Sequence, residues 1–241
     1  MCTVTFTPVE NGFVFASNRD EQAQRKTSPP DYYQELGVQL FYPKDEVAGG
    51  TWIGLSEHNR LVCLLNGGHV YHDPTIKFPK SRGQVVKEIL VAQDLITTLT
   101  EVDLTGFAPF TLVVVDWKKD NKVYEMVWCK STKYLKELKS DHSYIWSSST
   151  LYTEEMKCER KDWFDKEVLS KSGFVQGRIL AFHQNENLGN MGTAPKMKRN
   201  LVETVSTTLV VKEGVTLSKK YFDYVNDLYF DCENIFGSVK I

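Results

Sequence analysis

A cysteine stands directly behind the initiator methionine, and two short runs follow it, Thr3 to Thr7 and Phe13 to Ser17, separated by a Pro8–Gly12 turn. β-Branched and aromatic residues bounded by turn residues predict a hairpin. A hairpin brings the end of its second strand beside the start of its first. Asn18 and Asp20, in the run Asn18-Arg19-Asp20-Glu21, therefore fall near Cys2. Cysteine is small enough for methionine aminopeptidase to remove the Met before it. The mature chain would then begin with a thiol and a free α-amine on one residue. The amine can serve the thiol as base, as it does for other N-terminal nucleophiles. Their ordinary pKa values, about 7.7–8.0 and about 8.5, are well matched for this near neutral pH. Side chains alternate along a strand, so Asn18 and Asp20 share one face and Arg19 takes the other. Asp20 is the natural partner for the α-ammonium. Arg19 serves the same site only where the strand ends or kinks. Without Cys2, the run would read as a strand end entering a charged surface turn.

The remaining chain supplies a second candidate. Thr51 to Ser56 and Arg60 to Leu65 predict another hairpin, and Asn66-Gly67-Gly68 ends it. An amide at a strand end followed by permissive backbone can donate to a developing oxyanion. Asn-Gly is equally a plain turn signal. His69, His72 and Asp73 could ligate a metal, but Pro74 breaks any helix that would align them and no third ligand follows at a metal-site spacing. No metal and no cofactor are expected.

Glu21 to Tyr33 reads as a loop and Val38 to Tyr42 as a strand. The pair Gly49-Gly50 allows a sharp turn or a close backbone approach. A helix starts at Pro79–Gly83. Its apolar positions Val85, Val86, Ile89 and Leu90 recur at helical spacing, as do Leu95, Ile96 and Leu99 after a break at Gln93-Asp94. Phe110 to Val115 is continuously apolar, which predicts a strand buried on both faces. Val123 to Trp128, Tyr134 to Leu138 and Ser143 to Ser147 are further strands. The Ser147–Thr150 run reads as a helix N-cap. Helices follow over Thr153 to Lys171 and Phe174 to Gln184. Leu201 to Val211 and Val215 to Tyr221 are strands, and Tyr221 to Cys232 alternates as one closing strand.

Met-Cys-Thr followed by Asn18-Arg19-Asp20-Glu21 resembles the NRDE family, the relatives of transport and Golgi organisation protein 2. The Gly49-Gly50-Thr51-Trp52 block, Asn66, Ser81-Arg82-Gly83 and Phe110–Asp116 extend the likeness. That family is similar to the N-terminal-nucleophile (Ntn) hydrolases, especially the choloylglycine hydrolase and penicillin V acylase branch. The resemblance implies an α+β fold, a four-layer αββα sandwich, as a single domain over 1–241. It implies Cys2, Asp20, Asn66 and Arg19 as catalytic positions, with Asn66 completing an oxyanion site. It places Asn18, Trp52 and Ser148 against substrate. Two positions depart from the choloylglycine branch: Ser148 stands where that branch has Asn, and Thr204 stands where it has an active-site Arg, with Arg199 several residues upstream. The implied activity is cleavage of a non-peptide amide C–N bond through a thioester. The alternative is a non-catalytic carrier of a lipid, haem or similar small ligand on the same fold.

Bulk properties narrow the partners. A chain of 241 residues with 41% hydrophobic content can bury a sizeable core, and a net charge of −2 gives no basic face for nucleic acid. The start lacks the basic and apolar regions of a signal peptide, and no apolar run approaches the roughly 18 residues of a membrane span. Five scattered cysteines without Cys-x-x-Cys point to a reducing, cytoplasmic setting. The expected partner is a small-molecule amide or acyl ligand, and a homo-oligomer is compatible with everything above.

Overall fold

The structure is a computed structural model that describes residues 3–70, 73 and 76–237. Cys2 and His72 lie outside the described residues. The chain divides into two compact units. One comprises Met1–Gln24, Asp141–Ser147 and Leu151–Ile241; the other comprises Arg25–Ser140 and Ser148–Thr150.

The second unit carries β3 (Thr27–Glu35), β4 (Val38–Asp45), β5 (Ile53–Ser56), β6 (Arg60–Asn66), α1 (Arg82–Val91), α2 (Leu95–Glu101), β7 (Phe110–Asp116), β8 (Lys122–Cys129) and β9 (Thr132–Leu138). Its strands form one antiparallel sheet in sequence order. Val85, Val86, Ile89, Leu90, Leu95 and Leu99 lay α1 and α2 on a face made by Val62, Leu64, Leu112, Val114 and Met126. Asp94 ends the first helical run as expected and caps α2 by accepting from the Thr97 N–H.

The expected loop over Glu21 to Tyr33 is corrected from Thr27 onward, where β3 runs as an edge strand. Pro29 and Pro30 cannot donate to a ladder, and the register shifts between Ser28 and Asp31 to accommodate them. Aromatic pairs hold the strand beyond that point: Tyr32 with Phe41 and Tyr33 with Tyr42, centroids 4.8 and 4.2 Å apart. The glycine pair is a close approach. A Cβ on Gly83 would sit 2.9 Å from the Thr51 nitrogen and 3.1 Å from the Gly50 Cα.

The first unit carries β1 (Thr3–Val9), β2 (Gly12–Glu21), β10 (Tyr144–Ser147), α3 (Glu154–Phe164), α4 (Val175–His183), β11 (Glu203–Glu213), β12 (Thr216–Asp223) and β13 (Leu228–Cys232). The antiparallel sheet order is β10-β1-β2-β11-β12-β13. The expected β1–β2 hairpin is present, with Val4 opposite Ser17 and Val9 opposite Gly12. A π-helical turn, Asp165–Leu169, continues α3. Phe164, Val168, Ile179 and Phe182 pack the helices on Val14, Ala16, Leu209 and Val211. The even-numbered face of β2 is therefore the helix-facing one. It delivers Asn18 and Asp20 under the helices and turns Phe13, Phe15, Ser17 and Arg19 the other way.

Two expectations are corrected here. The N-cap of α3 is Thr153, which accepts from the Met156 N–H, and not the Ser147–Thr150 run. Tyr221 to Cys232 is two strands, because Asp223 Oδ1 accepts from the Val225 and Asn226 N–H groups and folds a turn between them.

The crowding at Gly83 gives a direct test. Gly83→Ala should destabilise the protein by about 1–3 kcal/mol, the range for overpacking, read as a lower midpoint in urea unfolding.

Candidate functional site

The site grows from an irregularity in β11. Thr204 pairs with Asp20 and Ser206 with Arg19, so two residues two apart answer two neighbours, and Val205 is the extra residue of a β-bulge. In a regular strand Thr204 and Ser206 would share a face. The bulge turns Thr204 to the Asp20 side and leaves Ser206 with Arg19.

Asp20 is fully buried at the end of β2. Thr204 Oγ1 donates to its Oδ1 at 2.7 Å, and the Tyr152 hydroxyl donates to its Oδ2 at 3.0 Å. Burial pushes the Asp20 carboxyl above its usual range, against the lowering pull of the Arg160 charge and of these two hydrogen bonds. Burial and the nearby Asp20 push the Tyr152 phenol far up, so it stays a neutral donor. Thr204 is itself fixed, since its hydroxyl accepts from the Met197 N–H at 2.9 Å.

Arg160 on α3 is also fully buried. Its Nε donates to the Thr193 carbonyl at 3.0 Å, and its two Nη groups donate to Thr3 Oγ1 and the Ala194 carbonyl. Its guanidinium lies 3.8 Å from the centroid of the Tyr152 ring. Arg199 is 5.3 Å from the same centroid and is tied to the Gly192 and Leu151 carbonyls. Thr204 thus holds Asp20 directly, while Arg199 reaches the cluster through Tyr152.

A second buried layer lies one step back along β2. Asn18 Nδ2 donates to the His183 and Pro195 carbonyls, both at 2.8 Å. Asn18 Oδ1 accepts from Thr207 Oγ1 at 2.8 Å and from His183 Nδ1 at 3.1 Å. That fixes the His183 tautomer, so Nε2 accepts from the Thr5 hydroxyl at 2.8 Å. Burial, aided by the Arg160 charge, drives the His183 pKa down to about 3. The chain continues outward from Thr207 to the Tyr224 hydroxyl at 2.8 Å.

Of the residues singled out in the sequence, Asn18 and Asp20 meet on one face, and buried Arg19 lies on the other beside Ser206. Asn66, Trp52 and Ser148 belong to the second unit. Asn66 ends β6. Its carbonyl accepts from Ser148 Oγ at 2.5 Å, and Ser148 also bonds Thr150 Oγ1 at 2.9 Å. The Asn66 carboxamide has no hydrogen-bond partner among the described residues. Gly67 takes a φ of +90°, and a Cβ there would strike Ser149 Oγ, so the Asn66-Gly67 turn is seated on the Ser148–Thr150 segment. Trp52 is buried ahead of β5. His69 stacks edge-on against Tyr134, 4.9 Å between centroids.

The sequence reading missed Tyr152, Arg160 and His183. Arg160 carried a signal: it falls four residues after Met156 and four before Phe164, a charge set into an apolar helical stripe. A cavity of about 340 Å³ opens beside Thr204, lined by Met191, Met197, Tyr224 and the ion pairs Lys196–Glu186 and Lys198–Glu203.

The fold is α+β and is that of the Ntn hydrolases. It is similar to the Caenorhabditis elegans ortholog of N-acylethanolamine-hydrolyzing acid amidase, with TM-score 0.60 and 13% identity, covering 87% of this chain and 92% of that one. It is also similar to a variant of conjugated bile acid hydrolase from Clostridium perfringens, with TM-score 0.58 and 10% identity, covering 100% of this chain and 94% of that one. Within that fold, residues 1–221 match the family Transport and Golgi organisation 2, and the chain belongs to it. No curated protein matches the chain. Among the described residues, no helix is long and apolar enough to cross a membrane.

The His183 environment sets a pH dependence. Its pKa is lower folded than unfolded, so the unfolded chain binds more protons between about pH 6.5 and about 3. Stability is full above that window and falls on acidification through it, by up to about 1.4 kcal/mol per pH unit. His183→Gln should be less stable at pH 7 yet lose this slope. Urea unfolding of both proteins from pH 7 to 4 checks the difference.

Proposed function

We propose that this chain is an amidohydrolase that cleaves a non-peptide amide C–N bond in a small-molecule acyl substrate, with Cys2 as its nucleophile. One observation carries the reading. A buried carboxylate, Asp20, is held by Thr204 and Tyr152 where the end of β2 meets the start of β1. A buried charge is expensive unless it has a task or a partner. An α-amine at the head of β1, which becomes an ammonium once it has taken the Cys2 proton, is the partner that the hairpin supplies.

In the proposed reaction the α-amine takes the Cys2 proton and the thiolate attacks the substrate carbonyl. A C–S bond forms and the carbonyl electron pair moves to oxygen, an oxyanion that hydrogen-bond donors stabilise; the family resemblance assigns Asn66 to that role. As the C–N bond breaks, the leaving amine takes the proton from the α-ammonium. Water then attacks the thioester, with the same amine as base, and releases the carboxylic acid and the free thiol. Arg19 supplies positive charge from its own face of β2. Asn18 is a positioning residue, because its carboxamide is committed to His183, Thr207 and Pro195. Ser148 donates to the Asn66 carbonyl and supports that turn, and both Ser148 and Trp52 are assigned to substrate binding. The names of the two similar structures, an acid amidase and a conjugated bile acid hydrolase, support the class. A reducing cytoplasm suits a free N-terminal thiol.

Intact mass of the protein purified from its own cells should lack Met1, and iodoacetamide should modify Cys2 ahead of the other four cysteines. With an amide substrate found by screening, Cys2→Ala should lower turnover by at least about 10³-fold with an unchanged melting temperature. A retained Met1 would leave the thiol without its built-in base and favour the non-catalytic carrier.

A further inference from the structure

We infer that Arg160 is a positioning residue of this site: from α3 it anchors the head of β1 through Thr3, and its charge keeps the neighbouring α-amine in the free form that can act as a base. The inference rests on the reading of Cys2 given above.

A carboxylate next to an α-amine favours the ammonium form, which holds the amine but removes its basicity. Asp20 alone would therefore orient the base and disable it. A fixed positive charge on the same face opposes that effect. Arg160 is placed for it, since one Nη group donates to Thr3 Oγ1. Cys2 immediately precedes Thr3 in the chain, and successive Cα atoms are about 3.8 Å apart.

The guanidinium is fully buried and cannot swing away. The Thr193 and Ala194 carbonyls take its other donors and the Tyr152 ring covers one side. Among the described residues, the groups facing Asp20 are Thr204 from β11, Tyr152 from the approach to α3, and Arg160 from α3 itself. Arg199 lies behind Tyr152, and His183 of α4 stays neutral beside Asn18. Among the described residues, the fixed charges on this face are therefore one carboxylate and two guanidiniums. Arg160 is the one that touches β1.

The test is the rate of Cys2 alkylation by iodoacetamide from pH 5 to 10, read by mass spectrometry of the N-terminal peptide. In that reaction Sγ displaces iodide and the thiol proton passes to the amine. In the wild-type protein the half-maximal rate should fall below about 7.7, the low edge of the ordinary α-amine range. Arg160→Gln should raise it by about one unit or more, a roughly tenfold slower reaction at pH 7. Arg160→Lys, which restores charge without the fork of donors, should hold it within about 0.3 units of wild type even where melting is lowered.

A wild-type midpoint at or above the ordinary amine range overturns the inference, whether or not Arg160→Gln folds. So does a Gln profile that superimposes on wild type, or a Lys profile displaced as far as that of Gln. If Met1 is retained, or Cys2 reacts no faster than the other cysteines, the nucleophile reading itself is what fails.

Discussion

The buried charge of Asp20 organises the first unit. Removing a carboxylate from water costs several kcal/mol unless hydrogen bonds and opposite charge replace the lost solvent. Each replacement comes from a different part of the chain: Thr204 from β11, Tyr152 from the segment before α3, and the Arg160 field from α3. Satisfying one carboxylate therefore fixes the placement of three elements around the end of β2. The Val205 bulge belongs to the same requirement, since it turns the Thr204 hydroxyl to the correct face. Even so, burial outweighs these partners and leaves the carboxyl above its usual range. A group held in that condition is poised to respond to any charge added beside it.

Behind Asp20, the Asn18–His183 layer acts as a strut. It joins Thr5 of β1, Asn18 of β2, Thr207 of β11 and His183 of α4, and it reaches Pro195 in the loop before β11. The Asn18 amide nitrogen donates twice and its oxygen accepts twice, so all four of its hydrogen-bonding positions are used. A fully satisfied network of this kind rigidifies its surroundings, whereas a partly satisfied one would cost stability. The strut sits between the apolar core of Val14, Ala16, Phe164 and Phe182 and the charged cluster at Asp20. It ends the apolar region with neutral hydrogen bonds before the first ionised group is met. Burial and the positive charge of Arg160 both act to keep His183 neutral there.

The hairpin and the two faces of β2 were legible in the sequence because both follow from local pattern. Strand propensity and a turn at Pro8–Gly12 give the first, and the period of two gives the second. That Asn18 and Asp20 share one face followed from those two facts. Residues brought in from afar were not legible. Nothing local joins Thr3 to Arg160, and the only trace was a charged residue on the stripe of Met156 and Phe164. The bulge at Val205 carries no glycine or proline to announce it. The strand β3 was hidden for the opposite reason: Pro29 and Pro30 signal a loop, yet an edge strand needs ladder donors on one side only and can shift register past them. In the second unit, the Asn66 turn was visible, but the Ser148 hydroxyl that braces its carbonyl lies far along the chain.

The adjacent charges in Asn18-Arg19-Asp20 acquire a purpose from the strand they occupy. Neighbours of opposite sign in a loop would pair with each other in water for little gain. In β2 the alternation separates them, so a single strand end presents a cation to one side of the sheet and an anion to the other. Both are buried, so each side needs its own answer. A regular β11 could answer only one of them with Thr204 and Ser206, because both side chains would point the same way. The extra residue at Val205 divides the two hydroxyl residues between the two faces. The arrangement is also self-checking. A one-residue slip of β2 would carry Arg19 under the helices toward Arg160 and bring Asp20 to the opposite face, away from Tyr152 and Thr204. Both faces would lose their compensation together. The charge pattern of three residues thus fixes the register on which the apolar contacts of Val14 and Ala16 also depend.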